Sequence, residues 1–305
     1  MAKEFKTIGE LVNLLESRGV KTDEKTSSVL QREGYYAIVN GYKDTFLDRE
    51  AMQSSPGDVY KKGTTFRQIY DLFLFDRELR VFCLRYLIEA EACMKNAVVY
   101  AFCEKHPEAN AYLERSNYVR PRDMLVPKAF RKNVEAEANK NLADLMRRLN
   151  GKLGISSRTP DCVRHYLESY GEVPLWVLQN DLTFGNVEHF YQLQKRGVQN
   201  AACRIISSWS AAERIGARDL LTAFHVLVGF RNICAHDDRL YCASIDGLRF
   251  DAMLNELRMV LPLERSEELG STLDSVVDPF RGRLDPRALN AMYTNPKDIP
   301  MEYRD

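Results

Sequence analysis

Thr64 or Thr65 opens the longest helical run in the chain, which continues to about Lys105 and stops before Pro107. Within it Ile69, Leu72, Phe73, Phe75, Leu79, Phe82, Cys83, Tyr86, Leu87 and Ala90 recur at helical intervals, the spacing that lines apolar side chains along one stripe. At 1.5 Å per residue a helix of ~40 residues is about 60 Å long. A bend or break is therefore expected, and the run is the expected backbone of the fold.

Most of the remaining segments are also read as helices. Thr7 to Gly19 is a short capped helix, and Asp23 to about Phe46 continues helically with interruptions near Gly34 and Gly41. Ala51 to Gly63 and Asn110 to Pro127 are loops, and Val126 to about Leu149 is a charged helix. Further helices are expected over Asp161–Tyr170, from Leu175, up to Tyr191, over Ala201–Trp209 and over Ala217–His236, with Asp251–Val260, Glu267–Arg281 and Asp285–Tyr293 behind them. Trp176 and Phe184 are expected core anchors, and the aromatics Tyr35, Tyr36, Tyr42 and Phe46 are assigned to the core before any role in stacking bases. No period-two alternation marks a strand, so the fold class is all-α, a helical bundle in one compact unit.

Composition narrows the function. With 43 basic and 43 acidic residues the formal net charge is zero, which argues against a general nucleic-acid coat but allows a local basic groove. No stretch approaches the ~18 apolar residues of a membrane span, and the start Met-Ala-Lys-Glu-Phe-Lys has no signal-peptide core. Seven cysteines without C-x-x-C spacing read as small buried residues of a reducing compartment, hence a cytoplasmic protein. Nucleotide-loop and H-E-x-x-H motifs are absent. His236, Asp237 and Asp238 with Cys234 and Cys242 lack zinc-site spacing. No metal and no cofactor is expected.

The chemistry sits in Arg231-Asn232-Ile233-Cys234-Ala235-His236, at the end of the apolar segment Leu220 to Phe230. Asn232 and His236 are i,i+4 and share a helix face, whereas Arg231 lies roughly 140° round from His236. Cutting RNA without a metal needs a base for the 2′-hydroxyl, an acid for the leaving 5′-oxygen and a fixed cation for the phosphate. Histidine serves as base or acid near neutral pH. Arginine offers a permanently charged fork that matches phosphate oxygens, and Asn232 can orient the imidazole. A second acid/base group is missing, since Asp237 and Asp238 are poor acids unless their pKa values rise. A two-fold dimer supplies it by bringing two copies of the set to one groove.

This hexapeptide resembles the Arg-Asn-x-x-x-His signature of HEPN-fold ribonucleases. Glu33-Gly-Tyr-Tyr-Ala-Ile-Val-Asn-Gly-Tyr42, Phe75-Asp-Arg-Glu-Leu-Arg80, and Pro174-Leu-Trp176 with Leu182-Thr-Phe-Gly185 resemble the Abi-type abortive-infection branch, the AbiD/AbiF-like bacterial proteins. The resemblance implies a HEPN-like core of residues 64–106 and 200–262, an N-terminal elaboration 1–63 and a helical insertion 107–199 within one domain, 1–305. It also implies phage defence by RNA cleavage that halts host growth, kinship with the nuclease domains of RNA-guided CRISPR effectors, and a small inhibitory RNA as partner of some relatives. Some HEPN toxins are silenced by modification of a tyrosine two residues after the histidine. Asp238 stands there instead.

Glu89, Glu91 and Asn96 are candidate supporting residues, placed where the long helix is expected to meet Arg231, and a carboxylate there can fix the guanidinium. Arg147, Arg148, Lys152 and Arg158 are candidate RNA-phosphate contacts. The expected activity is a metal-independent endoribonuclease acting as a homodimer on an RNA substrate. The alternative is a non-catalytic HEPN-like module that binds RNA or protein, in which Arg231 and His236 only hold a helix end or an interface.

Overall fold

The computed structural model describes residues 4–126 and 134–294, of which 134 and 135 by backbone alone. Among them the structure is all-α, with isolated β-bridges and no β-strand. The helices are α1 (Ile8–Ser17), α2 (Thr26–Glu33), α3 (Phe66–Lys105), α4 (Val134–Gly151), α5 (Asp161–Tyr170), α6 (Leu175–Leu178), α7 (Phe184–Gln192), α8 (Arg196–Ser207), α9 (Ala217–Ala235), α10 (Phe250–Val260), α11 (Leu263–Val277) and α12 (Pro286–Asn290). A π-helical turn covers Tyr36–Asn40, and short 3-10 turns fill the loops. Of the charged helix expected from Val126, residues 127–133 lie outside the described residues.

The long run is one uninterrupted helix. Thr65 opens α3 with a capping box, accepting from the Gln68 N–H at 3.2 Å while the Gln68 side chain accepts from the Thr65 N–H at 2.9 Å. It ends at His106, one residue before Pro107. The expected break does not occur, because α3 is covered along its length. α8 and α9 lie against it most extensively, with α6, α7, α10 and α11 beside them. Buried side chains run from Phe66 to Phe102, so every turn gains hydrophobic contact that offsets the cost of a long rod.

Two aromatics lie outside the core where the interior was expected. Trp176 is 46% exposed, because α6 is a single turn whose inner positions are taken by Leu175, Val177 and Leu178. Tyr36 is 80% exposed because Ile38 and Val39 take the inward positions of the π turn. Phe184, Tyr42 and Phe46 are buried as expected. Cys162 is exposed, against the expectation that all the cysteines are buried.

Candidate active site

α9 crosses the centre of the molecule. Leu220, Leu221, Ala223, Phe224, Val226, Leu227 and Phe230 are all buried, so the helix is apolar nearly all round, the pattern of a central core helix. It reaches solvent mainly at its ends, at Arg218 in the first turn and again in the last turn. Arg231 is half-buried, while Asn232 and His236 are exposed. Further back, Gly229 lets the turn 245–248 lie directly on the helix, since a Cβ there would stand 2.6 Å from Ile245 Cδ1.

The end of α9 is held by an abrupt turn. The His236 N–H donates to the Asn232 carbonyl at 3.0 Å and the Asp238 N–H to the Ile233 carbonyl at 3.1 Å. Asp237 takes a left-handed backbone, φ 60°, the position after a helix where glycine is usual. That strain is offset by Arg80, whose guanidinium pairs with the Asp237 carboxylate and donates to the Asp238 carbonyl at 3.3 Å. Arg80 is itself buried and paired with Asp76 at 2.8 Å. The Asp76 carboxylate, fully buried, also accepts from the Tyr42 hydroxyl at 2.7 Å, the Tyr241 N–H at 2.6 Å and the Leu240 N–H at 3.1 Å. Burial pushes the Asp76 carboxyl up towards its neutral form. The donors that converge on it work the other way.

Arg231 is aimed by α3. Its Nε donates to Glu91 Oε2 at 3.1 Å and one terminal nitrogen to Asn232 Oδ1 at 3.3 Å. Glu91 also faces Lys95 at 3.6 Å, and the Lys95 ammonium donates to the Leu182 carbonyl at 2.6 Å. Burial lowers the pKa of that ammonium. A chain of contacts therefore runs from the start of α7 through Lys95 and Glu91 to Arg231.

Of the residues expected at the site, Glu91 is in contact with Arg231. Glu89 points elsewhere, its carboxylate held by Arg265 at 2.9 Å. Asn96 is exposed, with no side-chain hydrogen bond among the described residues. Asn232 does not hold the imidazole; its carboxamide turns to Arg231 and only its backbone carbonyl meets His236. The His236 ring makes no hydrogen bond among the described residues. Arg148, Lys152 and Arg158 line one cavity of about 630 Å³ with Asp181. Lys152 is paired with Asp181 at 2.9 Å, and Arg147 lies apart, paired with Asp144 at 2.8 Å.

Sequence reasoning missed two further groups. The Tyr42, Asp76 and Arg80 clamp is one; Asp76 and Arg80 fall at i,i+4 within the apolar stripe of α3, a spacing that signals a buried ion pair. The other is the pair of carboxylates around His225 on α9: the sequence places His225 as a hydrogen-bonded residue of the apolar helix, and its Nδ1 meets Glu188 of α7 at 3.2 Å while its Nε2 meets Asp246 at 2.6 Å. The hydrogen bond to Glu188, reinforced by Asp246, holds its pKa up to about 9. Glu188 and Asp246 are far from His225 in sequence, so no local pattern reports that arrangement.

Four separate segments thus meet at the end of α9: Tyr42, the Asp76 and Arg80 pair, the Leu182 carbonyl and the 231–241 stretch. Comparison with curated proteins and with solved structures gives no match. A family profile described as Abi-like protein matches residues 28–242, the span that contains all four of those segments. The chain belongs to the Abi-like protein family.

Proposed function

We propose that this protein is a metal-independent endoribonuclease of phage defence, cleaving RNA at a site built on Arg231 and His236 in a homodimer. One observation carries the reading. At the exposed end of a buried helix, an imidazole with no hydrogen-bond partner among the described residues stands five residues from an arginine whose direction is fixed by a carboxylate. A residue kept only to hold a helix end would be expected to spend its ring nitrogens on protein partners, as His225 does. An acid/base group must keep them for substrate.

His236 takes the 2′-hydroxyl proton, and the freed oxygen attacks the adjacent phosphorus. Arg231 stabilises the charge on the non-bridging oxygens. The bond to the 5′-oxygen breaks, and that oxygen is protonated by an acid that the second protomer's His236 supplies. The products are a 2′,3′-cyclic phosphate and a 5′-hydroxyl. Membership of the Abi-like family supports abortive infection as the setting.

A homodimer is supported by an apolar stripe beside the site. Val81 is 65% exposed and Ile88 54%. Seven residues apart, they share one face of α3, about a quarter turn round the helix from the line of Arg80 and Glu91.

The test is cleavage of total cellular RNA in EDTA by wild type beside His236→Ala and Arg231→Ala, with product ends mapped. Cyclic-phosphate ends from wild type alone are expected, with His236→Ala slower by roughly 10²–10⁴. A requirement for a divalent ion would sink the mechanism. Absence of cleavage by wild type, together with loss of stability or dimerisation in both variants, would favour the non-catalytic module.

A further inference from the structure

Away from Arg231, the structure holds an open cleft of about 890 Å³ between the loop after α3 and the start of α8. Arg115 and Arg120 line it from the loop, and Lys195 and Arg196 from the start of α8. All four are exposed. Arg120 is neutralised by Asp123 at 2.9 Å. Arg115, Lys195 and Arg196 have no ion-pair partner among the described residues.

A further cation stands close by. Gly197 lies where a Cβ would be 2.6 Å from Lys105 Nζ, so the last turn of α3 brings its ammonium against the first turn of α8. Desolvation and then the Lys105 and Lys195 charges lower the pKa of neighbouring His106. In a chain whose formal net charge is zero, this is a concentrated local excess. Asp123 on Arg120 and Glu108 near His106 offset only part of it. Crowded like charges destabilise the fold, and the cleft is where an anion would relieve that cost.

The rest of the lining favours a strand over a small anion. The partly buried Val119, Pro121 and Leu142 supply apolar surface beside the cations, suited to the alternating charge and flat bases of a single strand. The α8 macrodipole adds positive potential at the same end without being needed for the argument. Lys105 is fourteen residues along α3 from Glu91, about 21 Å of helix rise. The cleft is therefore a separate surface from the Arg231 site, joined to it by one rigid element.

We propose that this cleft binds the phosphodiester backbone of single-stranded RNA and so holds substrate at a distance from the point of cleavage. The proposal rests on the reading of RNA as substrate but not on which residues cut it. Arg115, Lys195 and Arg196 carry the backbone contacts. Lys105, which lies against Gly197 outside the lining, adds positive potential nearby.

The experiment uses the full chain with His236→Ala, so that RNA stays intact. Binding of a labelled single-stranded RNA is followed by fluorescence anisotropy at several salt concentrations. The parent is compared with Arg115→Glu/Lys195→Glu/Arg196→Glu and with a charge-matched control, Lys6→Glu/Lys62→Glu/Arg258→Glu. The cleft variant is expected to bind at least about tenfold more weakly, with the slope of log K against log salt smaller by about 2, at ~0.7 for each phosphate no longer neutralised. The control should keep parental affinity. Where the glutamate triple fails to fold by circular dichroism, the corresponding glutamine triple carries the test with a smaller slope change.

Equal affinity of parent and cleft variant would overturn the proposal, as would equal weakening in the control. Single-stranded DNA, ATP and inorganic phosphate are parallel arms. Weakening confined to ATP or phosphate would make the cleft a small-anion site and overturn the strand reading. Weakening for DNA as large as for RNA would overturn RNA as the specific occupant. Cleft-dependent RNA binding by a wild type that never cleaves would leave this proposal standing and remove the catalytic one. Normal cleavage by the cleft triple with His236 intact, alongside normal binding, would do the reverse.

Discussion

Arg231 depends on one residue for its direction. Nε is committed to Glu91 at 3.1 Å and one outer nitrogen to Asn232 at 3.3 Å. In the proposed site the remaining outer N–H donors would meet a phosphate, with Glu91 as the positioning residue. Glu91→Gln keeps the shape but weakens the anchor. Cleavage is expected to fall about 10²-fold in single-turnover rate, the cost of a misplaced reactive group, while RNA affinity changes little. A rate equal to wild type would show that Glu91 serves only packing. Arg231→Lys should lose most activity while keeping its charge, since an ammonium cannot present two parallel donors. Arg231 and His236 were legible as candidates from helix period and chemistry. The Asn232 role was not, and the reason is local: His236 is the helix C-cap with φ −103°, which turns its Cβ away from the helical i,i+4 register, and the Asn232 carboxamide is taken by Arg231.

Within the elements, the long helix was legible because apolar residues recur along it without interruption. Its lack of a break was not, because that depends on how many neighbours cover it. The same helix carries the ion pair that ties three segments together. Removing one partner of a buried pair leaves an uncompensated charge, so Asp76→Asn is expected to cost about 3–5 kcal/mol in urea unfolding. It should also free the 237–241 turn, lowering cleavage at temperatures where the protein stays folded. Asp76→Leu with Arg80→Met should recover part of the stability but not the activity, because the Leu240 and Tyr241 N–H groups then lack their acceptor. α9 offers a pH test. The His225 pKa is raised to about 9 from an ordinary 6.5, so Glu188 of α7 and Asp246 stabilise its protonated form in the fold. That stabilisation is fully present below about pH 6.5 and is lost as pH rises through about 9. The thermal midpoint should therefore drop between pH 7 and 10 in wild type, and His225→Gln should flatten the profile. An unchanged slope would mean that other groups set the alkaline limit.

Across the whole molecule, the proposed catalysis needs two copies. Among the described residues, a single chain places an imidazole without a hydrogen-bond partner at the end of α9; of the carboxylates near it, Asp237 is occupied by Arg80, Glu91 by Arg231, and Asp238 faces solvent. Val81 and Ile88 leave apolar surface on α3 next to that end, where Leu84 between them is only partly buried. In the proposed homodimer, an isologous contact through this stripe would cover the exposed surface and bring two α9 ends towards one groove. The prediction is that Val81→Glu/Ile88→Glu is monomeric by sedimentation velocity with wild-type helicity, because both side chains already face solvent and the fold does not use them. Its specific activity should fall to background. For wild type, specific activity should rise with protein concentration below the dimer dissociation constant and then level off. Full activity from a monomer, or activity strictly proportional to concentration across that range, would place the missing acid within one chain and end the composite-site reading.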